Sequence, residues 1–107
     1  MNSVSYSVAS IIQSYDCNSR EGINVMEEED MIYVDITKKF PTPGYVVNLD
    51  RVLKNGHEYK VYFTIKPPGP DRVLPQLITY KTLTMKIPKD ELGEPPYKFK
   101  AVEMRMA

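Results

Sequence analysis

The sequence predicts an all-β protein, an antiparallel Ig-like β-sandwich or small barrel of about six to seven strands. Nine prolines and eight tyrosines in 107 residues, with no tryptophan, favour strands separated by rigid loops over long helices. Apolar residues alternate with polar ones in several segments, whereas no window keeps a 3.6-residue period. A chain of this length is expected to form one domain around one core, spanning residues 1–107.

The N-terminal third predicts two short extended segments with turns after them. Apolar residues at even positions between residues 4 and 13 alternate with Ser, Ala and Gln, which predicts a first strand with one buried face. Turn-forming residues between 15 and 22 predict a reversal, and residues 23–26 begin the next strand. The acidic run 27–30 is predicted to be a solvated turn, because a calcium loop of the EF-hand type needs alternating acids and a central Gly.

The centre of the chain predicts a strand, a loop and a hairpin. Residues 31–40 form a strand with Ile32, Val34 and Ile36 on one face. A proline loop follows, and residues 45–53 are extended again. Asn55-Gly56 precedes a second alternating run up to residue 66, which predicts a β-hairpin with a type I′ turn.

The last third begins with a second proline loop over residues 66–75, which lacks backbone donors at four positions. Residues 76–87 predict a long strand in which Leu83, Met85 and Ile87 share a face, ended by Pro88. Residues 89–96 predict a charged loop with room for one helical turn. A final strand begins near Tyr97, and residues 104–106 are expected to fray.

Charge and hydropathy exclude several partners. Fourteen basic and fourteen acidic residues balance, so the surplus of Lys and Arg expected of a nucleic-acid binder is missing. No apolar run approaches the ~20 residues of a membrane span. Residues 1–15 lack a signal-peptide pattern. The expected location is therefore cytoplasmic if the chain is complete as given, or exported if it is a mature fragment with an added Met1.

Residues for catalysis or metal binding are few. Cys17 is the one cysteine and His57 the one histidine, so an intrachain disulfide is ruled out and a zinc site lacks ligands. A nucleophilic pair of these two residues would need the fold to bring them together, and it predicts a lowered thiol pKa. His57 is instead predicted to be an exposed turn residue. We therefore expect no enzymatic activity, no metal and no cofactor.

Protein binding is the function that the sequence favours. The proline loops at 40–45 and 67–71 would present a preorganised surface, because proline reduces the ordering entropy lost on binding. The alternative is that proline only closes loops and blunts strand edges. An N-terminal edge strand could also pair between two copies to form a homodimer. The predicted partner-binding residues are Phe40, Thr42, Pro43, Gly44, Tyr45, Pro68, Gly69 and Pro70.

The order of these segments resembles the PrcB C-terminal-like family, bacterial proteins named after a subunit of a protease complex. Pro43-Gly44-Tyr45 matches the family's Gly-Gly-Tyr turn with Pro for the first Gly, and residues 67–70 match its Pro-Gly loop. Gln76-Leu77-Ile78 matches a third element, although Tyr80-Lys81 stands where a Pro-Tyr pair is expected. The resemblance covers residues 31–89. It implies a noncatalytic β-domain that docks onto or stabilises a protein partner, by analogy a protease complex.

A second resemblance involves the first proline loop. Residues 41–45 read PTPGY, which is similar to the Asn-Pro-Thr-Thr-Gly-Tyr loop of chagasin-type cysteine-protease inhibitors. Those inhibitors are small Ig-like sandwiches that insert three loops into an active-site cleft. The Gly-rich and Arg-Pro-aromatic loops of that family have no counterpart here. A loop-based protease inhibitor is therefore the alternative hypothesis.

Overall fold

The computed structural model of the protein describes residues 2–15 and 20–105. Seven strands of six to ten residues and one of two residues form two four-stranded sheets that do not close into a barrel. The all-β sandwich is therefore confirmed. The strands are β1 Asn2–Ser3, β2 Ser7–Ser14, β3 Gly22–Glu27, β4 Met31–Phe40, β5 Val46–Asn55, β6 Glu58–Lys66, β7 Thr79–Pro88 and β8 Lys98–Arg105.

One sheet has the order β1-β5-β6-β8 and the other the order β2-β7-β4-β3. Neighbouring strands are antiparallel, as predicted, except that β8 runs parallel to β6. The connection from β7 to β8 crosses to the other sheet but stays at the same end of the sandwich, so β8 starts beside the start of β6. The backbone N–H of Lys98 donates to the carbonyl of His57 (3.0 Å) at this starting point. The direction of β8 is thus set by a short connection between sheets.

The core lies between the sheets and follows the predicted alternation. The inner faces of β4, β6 and β7 each contribute every second residue, and all of these apolar side chains are buried. Burying them against the facing sheet is the main favourable term for such a fold. The buried core residues of the three strands are Ile32, Val34, Ile36, Phe40, Tyr59, Val61, Phe63, Ile65, Leu83, Met85 and Ile87.

The single N-terminal strand predicted over residues 4–13 is wrong. The chain leaves one sheet after β1 and enters the other at β2. Val4 is buried, and its N–H donates to the carbonyl of Val52 (2.9 Å), whereas Ile12 of β2 is 58% exposed. The two segments therefore share no buried face. A period of two marks extended backbone but carries no information about which sheet the backbone joins.

The predicted hairpin is confirmed, with a different turn. Asn55 pairs with Glu58, so Gly56 and His57 are the two central residues. Gly56 has a φ of +65°, and no non-glycine residue of the described chain has a positive φ. Positive φ at the first central position alone fits a type II′ turn instead of the predicted type I′ turn. The turn therefore lies one residue further along the chain than expected.

Several predicted boundaries move. Strand β3 confirms the segment predicted at residues 23–26, and residues 28–30 are the exposed turn predicted after it. Strand β7 starts at Thr79, so residues 76–78 belong to the loop before it. Residues 104 and 105 do not fray, because they pair with β6. The helical turn is a 3-10 turn at Lys89–Glu91. Residues 16–19 of the predicted reversal lie outside the described residues.

Candidate partner-binding surface

Both proline loops lie at the same end of the sandwich and contact each other. In the structure the first proline loop covers residues 41–45 and connects β4 to β5. The second proline loop, predicted over residues 66–75, covers residues 67–78 and connects β6 to β7. Both connections cross between the sheets at the end where β4 and β6 finish. The hydroxyl of Thr42 donates to the carbonyl of Pro75 at 2.6 Å. The two loops, together called the two-loop surface, are thereby joined into one unit.

Gly44 is the point of closest approach between the loops. Its φ of +106° is a conformation that side-chain-bearing residues rarely adopt. A Cβ atom built there would lie 2.7 Å from Cδ1 of Leu74 and 3.3 Å from Cβ of Pro68. The loops can pack this closely only because position 44 has no side chain. The sequence predicted Gly44 for the turn, but not this contact.

The aromatic residues on either side of the two prolines of the first proline loop, Phe40 before them and Tyr45 after them, differ in accessibility. Phe40 is the last residue of β4 and is only 1% exposed. Little of the Phe40 side chain, which is predicted to bind the partner, is therefore accessible for direct contact. Its ring stacks against that of Tyr45 with centroids 4.7 Å apart and planes 16° apart. Tyr45 is half-buried against the core, so Phe40 acts as its support.

A lysine on β7 forms a hydrogen bond with the backbone of the first proline loop. The ammonium of Lys81 donates a hydrogen bond to the carbonyl of Tyr45. Burial lowers the pKa of Lys81, because desolvation disfavours the charged form. The sequence reasoning missed this residue, since a lysine at an inward position of a strand gives no signal of its own.

The second proline loop carries the exposed large apolar side chains of the two-loop surface, which are Val73, Leu77 and Ile78. The N–H of Arg72 donates to the carbonyl of Gly69 (3.2 Å), which forms a turn. The predicted residues Gly69 and Pro70 are exposed, and Pro68 is half-buried. Val73 follows the turn and is 98% exposed. This loop is thus held by its own contacts while it leaves an apolar side chain entirely in solvent.

A depression of about 340 Å³ lies beside the second proline loop. Leu77 and Ile78 precede the start of β7, so they lie outside the strand ladder and remain about half exposed. The sequence analysis places both residues in the strand that follows, so it misses their exposure. The depression is lined by Tyr15, Gln76, Leu77, Ile78 and Tyr80.

A second depression, of about 290 Å³, holds the only ion-pair cluster of the described residues that joins the two sheets. The ammonium of Lys38 lies 2.9 Å from Oε1 of Glu103 and 3.4 Å from Oε2 of Glu21. Burial opposes the charged lysine, but the hydrogen bonds and charges of the two carboxylates raise the pKa of Lys38 overall. The backbone N–H of Lys39 donates to Glu21 (2.9 Å) and lowers the pKa of that carboxyl. The cluster ties the sheets together and leaves Lys38 fully paired.

The structure describes one of the two residues considered for a nucleophilic pair. His57 is exposed in the hairpin turn, as predicted, and its Nδ1 lies 3.0 Å from the carbonyl oxygen of Glu94. Cys17 lies outside the described residues, so the pairing of the two remains untested. Within residues 2–15 and 20–105, no three His, Cys, Asp or Glu side chains are grouped to hold a metal ion. No helix in that part of the chain is long and apolar enough to cross a membrane.

The fold and this surface define a β-sandwich domain with a loop-built face at one end. The family model described as PrcB C-terminal matches residues 31–88, more than half of the chain. The chain therefore belongs to the PrcB C-terminal family. The match runs from the start of β4 to the end of β7 and contains both proline loops. No curated protein and no solved structure matches the chain.

Proposed function

We propose that this protein is a noncatalytic protein-interaction module that contacts its partner through the two-loop surface. The observation that carries the proposal is the combination of fixed backbone and exposed apolar side chains in residues 67–78. Val73, Leu77 and Ile78 are exposed although the loop is anchored by Thr42 and Gly44. Exposed apolar side chains on a preorganised loop lower the entropic cost of binding.

The partner that we propose is a protein, by family resemblance a protease or another subunit of a protease complex. The matched segment contains both loops, so the proposed contact region is the part of the chain that the family shares. An apolar depression beside Leu77 suits an aliphatic or aromatic side chain of the partner. Fold and family alone do not transmit the partner's identity, so the residues must be tested directly.

The test compares capture of partners by the parent protein and by a variant with Leu77→Asp and Ile78→Asp. Both side chains are about half exposed, so the variant is expected to fold, as a urea unfolding curve will check. We expect the parent to recover a protease or protease-complex subunit from a lysate of the source organism, quantified by mass spectrometry. A buried charge at the contact should lower this recovery at least about tenfold.

The matched control is Met26→Asp. Met26 is an apolar residue of similar exposure on β3, which is an edge strand of the sheet that contains β7. It should capture the partner as well as the parent does. Equal recovery by all three proteins would contradict the assignment of the two-loop surface. Recovery of no protease component by the parent would contradict the proposed partner class.

A loop-based protease inhibitor is the second candidate function. It is favoured by Val73, whose side chain is 98% exposed between the Gly69–Arg72 turn and the Thr42–Pro75 hydrogen bond. An inhibitory loop needs this kind of fixed, exposed segment to occupy an active-site cleft. Titration against papain-like and subtilisin-like proteases separates the candidates. Stoichiometric inhibition by the parent protein that is lost in the Val73→Asp variant would support the inhibitor hypothesis. Full protease activity in the presence of micromolar parent protein would contradict this hypothesis for these enzymes.

A further inference from the structure

The free edge of strand β2 differs from the other sheet edges. β2 is the outermost strand of its sheet, with β7 on one side and no described strand on the other. An edge strand directs half of its backbone N–H and C=O groups away from the sheet, and proteins usually protect such edges with charges, proline or β-bulges. Residues 2–15, which contain β2, have neither a charged residue nor a proline.

The remaining long edges carry charged residues. The opposite edge of the same sheet is β3, which ends in Glu27, and that carboxylate pairs with Lys89 at 2.9 Å. The edge strand β8 of the other sheet has the sequence KFKAVEMR, in which four of eight residues are charged. Two copies of β8 paired antiparallel about their centre would place Lys98 opposite Arg105 and Lys100 opposite Glu103, whereas two copies of β2 would bring no charges together.

Apolar side chains lie on both faces of β2 and are not covered. Ile11 is opposite the core residue Leu83 and points to the inner side, but it is 52% exposed. The facing sheet ends in the two-residue strand β1, which is too short to cover it. Ile12 is opposite Thr82 on the outer side and is 58% exposed. A strand added beside β2 would shield both isoleucines.

We propose that β2 pairs with β2 of a second copy of this chain, antiparallel, about a twofold axis at Ile12. The β-bulge between Val8 and Ser10 interrupts the regular strand, so the regular strand register extends from Ser10 to Ser14. The centre of this segment is Ile12. An antiparallel pair of identical strands about a perpendicular twofold axis keeps inner and outer faces aligned. The two sheets then join into one continuous eight-stranded sheet, and Ile12 contacts Ile12 on its outer face.

Strand β2 lies outside the two-loop surface, so its pairing with a second copy does not depend on the proposed function. The occupant is a second copy because the regular part of the segment is uncharged, so it can pair with itself without opposing like charges. Serines at positions 10 and 14 would oppose each other, and Ile11 would oppose Gln13. Neither pairing brings like charges or a proline into the ladder.

The test is sedimentation of the full chain and of two variants, Ile12→Lys and Ile12→Glu, over a range of concentrations. We expect the parent to be a dimer and each variant alone to be monomeric, with the dissociation constant raised at least about tenfold by like charges opposite each other. An equimolar mixture of the two variants should form a heterodimer, because Lys then opposes Glu across the twofold axis. Added salt should weaken this heterodimer.

The control pair is Val25→Lys and Val25→Glu on the β3 edge, where Val25 is 40% exposed. Both control variants should remain dimers like the parent. A parent that stays monomeric at every concentration would overturn the proposal, as would Ile12 variants that remain dimeric. Failure of the mixed Lys and Glu variants to associate would overturn the pairing at Ile12. Unfolding curves of all variants check that each one folds.

Discussion

The two ends of the sandwich are closed in opposite ways. At the hairpin end, the connection between β7 and β8 packs inward around Tyr59, which is fully buried. The Tyr59 ring stacks on Phe99 with centroids 5.1 Å apart and meets Tyr97 edge-on. Its hydroxyl accepts a hydrogen bond from the N–H of Gly93 (2.9 Å). The apolar groups of this connection are used to close the core.

At the proline-loop end, one aromatic pair closes the core and the remaining apolar residues face solvent. Phe40 and Tyr45 stack over the end of the sandwich, whereas Val73, Leu77 and Ile78 are exposed. Proline and the contact at Gly44 hold this loop backbone without burying its apolar side chains. The comparison of the two ends shows that a loop can be held rigid without being buried. A stable exposed loop is what a binding surface requires.

The largest expected effect is at the hairpin end, with Tyr59→Ala. We expect a loss of about 3 to 5 kcal/mol in the free energy of unfolding, because a fully buried aromatic side chain and its ring contacts are removed. Urea unfolding followed by tyrosine fluorescence or circular dichroism measures it. Tyr59→Phe removes only the hydrogen bond to Gly93 and should cost about 1 kcal/mol. Equal costs for both variants would contradict the central packing role of the ring.

The next effect is at the proline-loop end, with Gly44→Ala. The unfavourable φ and the close approach to Leu74 predict a cost of about 2 to 4 kcal/mol. Gly56→Ala is the matched comparison, because Gly56 also has a positive φ but an added Cβ meets nothing within 4 Å. It should cost about 1 to 2 kcal/mol.

Leu74→Ala sharpens this result through a double-mutant cycle. The double variant with Gly44→Ala should be more stable than the sum of the single effects predicts, because the smaller side chain removes the 2.7 Å approach. Strict additivity in the cycle would indicate that backbone strain alone accounts for the cost.

Two lysines at the proline-loop end predict opposite pH effects of smaller size. Lys38 and Lys81 are opposite each other on the inner faces of β4 and β7. The raised pKa of Lys38 means that its contribution is present below 10.5 and is lost as pH rises through the folded-state pKa. The lowered pKa of Lys81 means that charged Lys81 opposes folding, and this cost disappears as pH rises towards 10.5.

The measurement is the unfolding free energy of the parent, Lys38→Met and Lys81→Met over this alkaline range. The difference between the parent and Lys38→Met should shrink with rising pH, and the difference between the parent and Lys81→Met should shift in favour of the parent. Tyrosine ionisation affects all three proteins alike, so the differences isolate the lysines. Two differences that change in the same direction would contradict the contrast.

The smallest expected effect is His57→Ala in the exposed hairpin turn. The hydrogen bond between its Nδ1 and the carbonyl of Glu94 is exposed, so the cost should stay within about 0.5 kcal/mol. Thermal unfolding of the parent and the variant measures this. A loss above about 2 kcal/mol in the free energy of unfolding would contradict this expectation and show that His57 stabilises the hairpin end.

Much of the fold could be predicted because burial on one face imposes a period of two. Ile32, Val34 and Ile36 were placed correctly for this reason. The crossing near Val4 could not be predicted, since either sheet can accept an extended chain. The parallel direction of β8 arises because the connection after Pro88 stays at one end of the sandwich instead of crossing to the other end. The local sequence does not specify this choice.

The candidate surface could be predicted in part. The prolines and Gly44 gave the loop positions, because each restricts or permits particular backbone angles. The burial of Phe40 could not be read from the loop, since it depends on Tyr45 folding back over the end of β4. Leu77 and Ile78 were assigned to a strand, because an apolar run looks the same before and after a strand begins.

The parallel pairing of β8 with β6 gives the domain a mechanical property. Position 2 lies at the hairpin end and position 105 at the proline-loop end. Tension applied between these positions therefore acts along the strand axes and loads the β6–β8 hydrogen bonds together instead of opening them one at a time. Such a shear geometry makes the C-terminal strand a clamp, in which the bonds share the load until they rupture as a set.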